Sequence, residues 1–210
     1  MKITPPELID LESFASWTRD GVSAGQSYAK VLLHQTDLSA TKAPDLRFDE
    51  AVFASSTLRQ TVWQGLSLVD VRLKGCDLSN ADWRQAHFHR VEFDACNLTG
   101  ANFSNARMNH VRFEACKVLL ASFAETKFTA CSFRACNLEQ TDFTGADLRN
   151  VAIECCNLRQ ARFFGANLKG ADLRGSDLTQ LGVTAHDLRG SIVEERQLFQ
   201  IAHVLGVVVK

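Results

Sequence analysis

The feature that most constrains the fold is a large apolar residue at every fifth position. Steps of five from Phe48 to Leu178 give 27 positions, and each one holds Leu, Phe, Ile, Val, Met or Trp. A period of five matches neither the 3.6-residue period of a helix face nor the two-residue period of a pleated strand. The sequence therefore predicts a repeat architecture in which each five-residue unit contributes one large side chain to the interior.

A second column lies two residues before each large residue. From Ala51 to Ser176 it holds Ala, Ser, Thr, Cys or Val, and Leu66 is the one exception. The three remaining positions of each unit are mostly polar. We therefore expect each unit to bury one large and one small residue and to expose three.

A period of twenty is superimposed on the period of five. Trp63 and Trp83 follow it, and so does a column of five cysteines. The simplest geometry is a coil with four sides, one unit to a side, in which residues twenty apart stack about 4.8 Å from each other. The stacked cysteines are Cys76, Cys96, Cys116, Cys136 and Cys156.

Several units, among them "ANFSN" (101–105), "ADLRG" (171–175) and "CNLTG" (96–100), resemble the pentapeptide-repeat family. The family pattern is a small residue, Asn or Asp, Leu or Phe, and two variable polar residues. The resemblance implies an all-β fold, a right-handed quadrilateral parallel β-helix. At twenty residues per coil, residues 31–190 would form about eight coils.

The N-terminal segment, residues 1–30, is predicted to be a capping helix with a lead-in. Thr4 is a candidate N-cap, Glu7 completes a capping box, and Gly21 is a candidate stop. A stacked coil has unpaired strand edges at both ends, which need to be covered. The helix would cover the first coil.

The C-terminal segment, residues 191–210, is predicted to form a second capping helix and a short strand. Ser191 and Glu194 read as its capping box. The tail resembles that of the quinolone-resistance (Qnr) group, in which the C-terminal module joins two rods into a homodimer. The shared elements are Asp187, Leu188, Gly190, Gln197, Leu205, Gly206, Val207 and Val209. The candidate dimerisation residues are Leu198, Ile201, Leu205, Val207 and Val209.

Side chains with catalytic or metal-binding chemistry are interpreted as structural. Cysteines at the small interior position act as apolar filler, and only Cys155 should face outward. His87 and His89 flank the interior Phe88 and should lie on the solvated surface. We find no phosphate loop and no nucleophile with a base, so we expect no enzyme activity, no metal and no cofactor.

Two surface features are candidate contacts for a protein partner. One is an adjacent apolar pair, Leu119 and Leu120, where the pattern expects polar residues; Phe164 departs from it in the same way. The other is a row of basic residues on one face, which we call the basic stripe. Between residues 71 and 170 this face holds a single acid, Asp147. The basic stripe consists of Arg90, Arg107, Lys127, Arg149 and Lys169.

The Qnr resemblance implies binding to a type II DNA topoisomerase such as gyrase and protection from inhibitors, in part by mimicry of DNA. Residues 71–190 hold 15 Lys and Arg against 13 Asp and Glu, so their net charge is opposite to that of DNA. Charge mimicry would therefore be confined to a patch of Glu92, Asp94 and Glu114.

The alternative function is a protein-interaction scaffold whose partner is unrelated to topoisomerase. The net charge of −1 favours neither direct nucleic-acid binding nor an anionic membrane. No apolar run approaches the length of a membrane span, and seven cysteines without a signal peptide indicate the cytoplasm. Both functions remain open at this point.

Overall fold

The computed structural model describes residues 3–7, 15–16, 21–204 and 206–207, which form a parallel β-solenoid. Most strands occupy two adjacent sides of the coil, and single β-bridges continue the stack on the other two. The strands are β1 (Ala15–Ser16), β2 (Ser27–His34), β3 (Arg47–Ala54), β4 (Ser67–Lys74), β5 (His87–Asp94), β6 (Arg107–Glu114), β7 (Lys127–Thr129), β8 (Ser132–Arg134) and β9 (Ala152–Glu154).

The solenoid has four faces because residues twenty apart pair in four columns. Extended strands β2 to β6 and the pair β7/β8 make six turns, slightly fewer than the eight coils predicted. The column of bridges from Asp37 to Asp177 nevertheless reaches eight levels. Each face is named by its first outward residues and continues in steps of twenty: face A from Ser27 and Ala29, face B from Leu32 and His34, face C from Asp37 and Ser39, and face D from Lys42 and Pro44.

From residue 30 to residue 180, every corner of the coil is a residue in the left-handed backbone region. The 24 non-glycine residues with positive φ all lie at fifth positions, for example Glu50 (φ 50°) and Leu120 (φ 59°). Such a conformation costs a non-glycine residue on the order of 1 kcal/mol. Backbone hydrogen bonds to the next coil, such as that from Leu78 N–H to the Asn97 carbonyl (2.7 Å), help to offset this cost.

The interior is filled by the two predicted columns of large and small residues. Phe113 stacks between Phe93 and Phe133, with ring centroids 4.7 and 4.5 Å apart. The small residues are buried beside these stacks, and Ala121 is 1% exposed. Both predicted interior columns are therefore confirmed.

The C-terminal cap is a short helical segment, as predicted, but its capping box lies later. A 3₁₀ helix (Glu195–Gln197) leads into α1 (Leu198–Ile201). The capping box joins Glu194 to Gln197, not Ser191 to Glu194. Gln197 is buried and donates Nε2–H bonds to the Leu173 and Ser176 carbonyls (2.8 and 2.7 Å), which closes the last coil. Among the described residues no helix is long and apolar enough to cross a membrane.

The predicted N-terminal capping helix is wrong for the part of the segment that the structure describes. Ala15–Ser16 is a strand that pairs in parallel with β2, and residues 3–7 are not helical. Strand pairing satisfies the open edge of the first coil, which a helix laid across it would leave unpaired. Residues 8–14 and 17–20 lie outside the described residues.

We predict that Phe113→Ala lowers the free energy of unfolding by about 3–5 kcal/mol, because it leaves a cavity between two stacked rings. Ala121→Leu should cost about 1–3 kcal/mol by overpacking the small column. Denaturant titration measures both effects. The matched control is Phe164→Ala. Because Phe164 is 47% exposed, this substitution should lower the free energy of unfolding far less. Equal losses for Phe113→Ala and Phe164→Ala would contradict the filled interior.

Candidate functional site

The acidic patch proposed for DNA mimicry lies on face B and is ion-paired throughout. Glu92 is placed between two arginines of the neighbouring coils. Its Oε2 is 3.0 Å from Arg72 Nε, and its Oε1 is 3.6 Å from Arg112 Nη1. Opposite charges therefore alternate along this column, which is the favourable arrangement for stacked neighbours.

The other two acids of the patch also have basic partners. Asp94 lies 3.7 Å from Lys74 Nζ, and Glu114 lies 4.0 Å from Arg134 Nε. The structure thus brings the three acids together on one face, but each one faces a cation. Face B presents a nearly neutral ladder of charges, not a negative patch.

The basic stripe behaves differently on face A. Arg107 and Lys127 are direct partners in the β6–β7 pairing, and both side chains are exposed. Neither one, nor Lys169, forms an ion pair with any residue that the structure describes. Arg149 does, through Nη2 at 2.7 Å from Asp147 Oδ2. Lys127 also stacks on Asp147, so the adjacent cations Arg107 and Lys127 have one acidic neighbour between them.

Arg90 does not lie with the rest of the basic stripe. It occupies the corner between faces A and B, where Nε donates to Asp70 Oδ1 (2.6 Å) and Nη1 contacts His89 Nε2 (2.7 Å). Burial raises the pKa of Asp70, but the hydrogen bonds from Arg90 and from the Glu7 amide outweigh it and hold that pKa below its usual range. Asp70 is therefore a buried, ionised anchor.

The anchor holds residues 3–7, which we call the N-terminal strap, against the solenoid. Glu7 N–H donates to Asp70 Oδ1 (2.9 Å), and Thr4 N–H donates to His110 Nδ1 (3.0 Å). His89 lies at 6.1 Å from His110, ring to ring. Burial and the charge of Arg90 lower the pKa of His89, so the imidazole stays neutral beside the guanidinium.

The apolar residues that depart from the repeat are only partly exposed together. Leu120 is 55% exposed on a corner, and Leu119 beside it is half-buried. Phe164 is also exposed, but it lies on face D close to Gly182, where an added Cβ would come within 3.2 Å of the ring. Leu119 and Leu120 thus form a small patch that excludes Phe164.

The candidate dimerisation residues that the structure describes differ in solvent exposure. Ile201 is 4% exposed and packs into the solenoid core, whereas Leu198 and Val207 are exposed. Phe199, which sequence reasoning did not select, is the most exposed large apolar residue of the tail at 67%. Leu205 and Val209 lie outside the described residues.

The cysteines and histidines are placed as the interior and surface patterns predict. All seven cysteines are free; Cys155 alone is exposed, and burial raises the pKa of the Cys131 thiol to about 12. Buried thiols such as Cys76 donate to backbone carbonyls, here that of Phe53 (3.3 Å). Within the described ranges no three His, Cys, Asp or Glu side chains are grouped to hold a metal ion.

Sequence reasoning missed the Asp70 anchor and the strap that it holds. The signal was present in the period of twenty, which makes Asp70 and Arg90 stacked corner residues of opposite charge. No pattern in the sequence indicates that the N-terminal backbone donates to this carboxylate.

Comparison with known proteins establishes the family. Residues 66–128, 86–163, 111–183 and 126–200 match the family model of the pentapeptide repeat region. These overlapping matches span more than half of the chain, so the protein belongs to the pentapeptide-repeat family. No curated protein sequence matches it.

Among solved structures, the chain is similar to QnrB1, described as a plasmid-mediated fluoroquinolone resistance protein. Identity is 18% and the TM-score 0.47, over 91% of this chain and 95% of that chain. It is also similar to HetL, a pentapeptide-repeat protein involved in heterocyst differentiation regulation in the cyanobacterium Nostoc sp. strain PCC 7120. There the identity is 19% and the TM-score 0.28, over 85% and 92% of the two chains.

We predict that Asp70→Asn lowers the free energy of unfolding at neutral pH by about 1.5–3 kcal/mol, through loss of charge-assisted hydrogen bonds. The folded pKa of Asp70 is depressed, so its contribution is fully present above the unfolded pKa of about 3.9. The difference between wild type and variant should therefore hold down to about pH 4 and shrink below it.

Thermal unfolding across this pH range measures the effect. Asp49→Asn is the matched control, because its pair with Arg47 (3.1 Å) is exposed and should contribute less than about 1 kcal/mol. A difference for Asp70→Asn that equals the control, or that grows at acid pH, would contradict the anchor.

Proposed function

We propose that this pentapeptide-repeat protein is a non-enzymatic binding rod that displays its outer faces to a protein partner. The observation that carries the proposal is the filled interior, in which the large and small columns are buried along the described solenoid. A surface of flat, regular faces supports binding better than chemistry in a cleft. We place the protein in the cytoplasm, where reducing conditions suit seven free thiols.

Two surfaces are the best candidates for the partner contact. On face A, Arg107 has no ion-pair partner among the described residues, and Lys127 beside it stacks on Asp147, so cations outnumber acids on this face and suit an anionic surface. On face C, Leu119 and Leu120 offer a small apolar contact beside polar columns. Either surface serves a scaffold whose partner is unrelated to topoisomerase.

A type II DNA topoisomerase such as gyrase is a second candidate partner, and the tail is the observation that favours it. The buried Gln197 closes the last coil, and three exposed apolar residues follow it: Leu198, Phe199 and Val207. An apolar surface therefore covers the end of the rod. Such a surface suits end-to-end homodimerisation. Because Glu92, Asp94 and Glu114 are ion-paired, we propose that contact with the enzyme depends on shape more than on DNA-like charge.

We predict that the protein is a homodimer and that Leu198→Ser with Phe199→Ser makes it monomeric. The substitutions remove exposed apolar contacts but leave Gln197 and Gln200, which close the last coil, in place. Light scattering at about 10 µM, where interfaces of this kind are occupied, measures the mass. Leu120→Ser is the matched control and should remain dimeric. A monomeric wild type would contradict the dimer.

The topoisomerase candidate predicts that added protein preserves gyrase supercoiling in the presence of a quinolone inhibitor. We expect the effect to change less than about twofold when salt rises from roughly 0.1 to 0.3 M, since paired charges add little long-range attraction to be screened. Protection that disappears with salt would instead indicate charge mimicry.

Absence of any gyrase effect would remove topoisomerase as the partner and leave the binding rod intact. Affinity capture from an extract of the native cell then tests the wider proposal. We expect a retained protein whose capture is lost with a variant of one face only. Equal retention by all face variants would contradict binding through a defined face.

A further inference from the structure

Three surface grooves lie in a row along face A. The first has a volume of about 560 Å³ and is lined by His87, Arg107 and Lys127 among others. The second, about 320 Å³, shares Lys127 and continues to Arg149. The third, about 440 Å³, is lined by Lys169 and Arg189. Because the coils stack in register, these grooves follow the long axis of the rod.

Two acids also line the grooves, Asp147 in the second and Asp187 in the third, and cations outnumber them along the row. Arg107, Lys127, Lys169 and Arg189 form no ion pair with the part of the chain that the structure describes. Like charges that are direct partners in a ladder, as Arg107 and Lys127 are, destabilise it. Face B carries one such like-charged pair, Asp94 and Glu114, but each of those acids has a basic partner, whereas Arg107 has no acidic partner among the described residues. The excess of cations on face A therefore suits an anionic ligand.

Neutral hydrogen-bonding groups lie between the cations. Asn109 and Thr129 line the first groove, and Asn150 and Asn167 line the two that follow. Amide and hydroxyl groups both donate and accept, so they suit a peptide backbone as well as an anionic side chain. The grooves therefore offer cations and backbone partners in alternation.

Spacing matches these grooves to an extended chain of acidic residues. Three coil steps separate the level of Arg107 from that of Lys169, which is about 14 Å at 4.8 Å per step. Side chains on one side of an extended peptide recur about every 6.8 Å, so three of them cover a similar length. Carboxylates at alternate residues can therefore reach successive cations.

The chemistry of face A favours an acidic peptide over a nucleic acid. No Phe, Tyr or Trp side chain, the strongest platforms for single-stranded bases, is exposed among the described residues of this face, and His87 is the exposed imidazole there. The chain has a net charge of −1, and the adjacent face B is nearly neutral, so no broad positive field attracts a phosphate backbone. The positive charge is instead confined to one narrow row.

From these observations we propose that the row of grooves on face A, which we call the basic groove, binds an extended acidic peptide segment of a protein partner. The proposal rests on the protein-binding function proposed above and names the chemistry of the bound segment. Arg107, Lys127 and Lys169 would pair with its carboxylates, and Asn109 and Thr129 would bond its backbone.

Fluorescence anisotropy with a labelled peptide of about twelve residues, alternating Glu and Ser, tests the basic groove with the intact protein. Wild type should bind this peptide, and a peptide of alternating Gln and Ser should bind at least about tenfold more weakly. Arg107→Gln with Lys127→Gln should weaken binding of the acidic peptide by about tenfold or more.

Lys42→Gln with Lys117→Gln is the matched control, because it removes the same charge from exposed positions on faces D and C. This control should stay within about twofold of wild type. The proposal is overturned if the control loses as much affinity as the groove variant, or if the Gln peptide binds equally well. Tighter binding of an oligothymidylate of similar length would assign the groove to nucleic acid instead. No binding of the acidic peptide would refute the groove alone, because the gyrase and capture experiments test protein binding by other faces.

Discussion

Every coil of this protein is held by hydrogen bonds to the coils before and after it, and the remaining features depend on that constraint. The bond from Leu78 N–H to the Asn97 carbonyl (2.7 Å) recurs in steps of twenty along the rod. A residue can therefore occupy a position only if its neighbours twenty residues away accept it as a stacked partner. Interior rings, corner residues and outer charges are therefore all arranged in columns with a step of twenty residues. Any outer surface of the rod consists of such columns.

The interior could be predicted because the period of the sequence is the period of the structure. The stack of Phe93, Phe113 and Phe133 follows directly from steps of twenty. The left-handed corners were also open to prediction, because nine of the twelve glycines lie at fifth positions. Thr4 and Glu7 are local cap signals, and the helix they predicted is wrong for the described residues, since 3–7 are not helical and Ala15–Ser16 is a strand. Instead, Ala15–Ser16 pairs with the edge of the first coil, and the Glu7 amide donates a hydrogen bond to the Asp70 carboxylate.

The surface could be predicted only in part. The position of a residue in the repeat determines the face on which it lies, but not the side chain with which it forms an ion pair. Arg107 and Lys127 lie where the sequence places them, whereas Arg90, at a corner, turns to Asp70. The pairing of Arg72 with Glu92 follows the same period of twenty and was open to prediction. Phe199 was missed because the short tail is not periodic, and its exposure depends on how Gln197 orients the segment against the last coil.

The contrast between two faces of one rod bears most directly on function. Both faces are built from the same strands, with the same spacing between stacked side chains, so the sequence is free to alternate charge on either. On face B it balances charge: Asp94 and Glu114 are direct partners, but each has a cation on its other side. On face A Arg107 and Lys127 are direct partners too; Lys127 stacks on Asp147 on its other side, whereas Arg107 stacks on His87. Face A therefore keeps an excess of cations, which the acidic segment proposed above would neutralise. If a topoisomerase binds this protein, it would meet a nearly neutral face B, so the charges of that face would not imitate DNA.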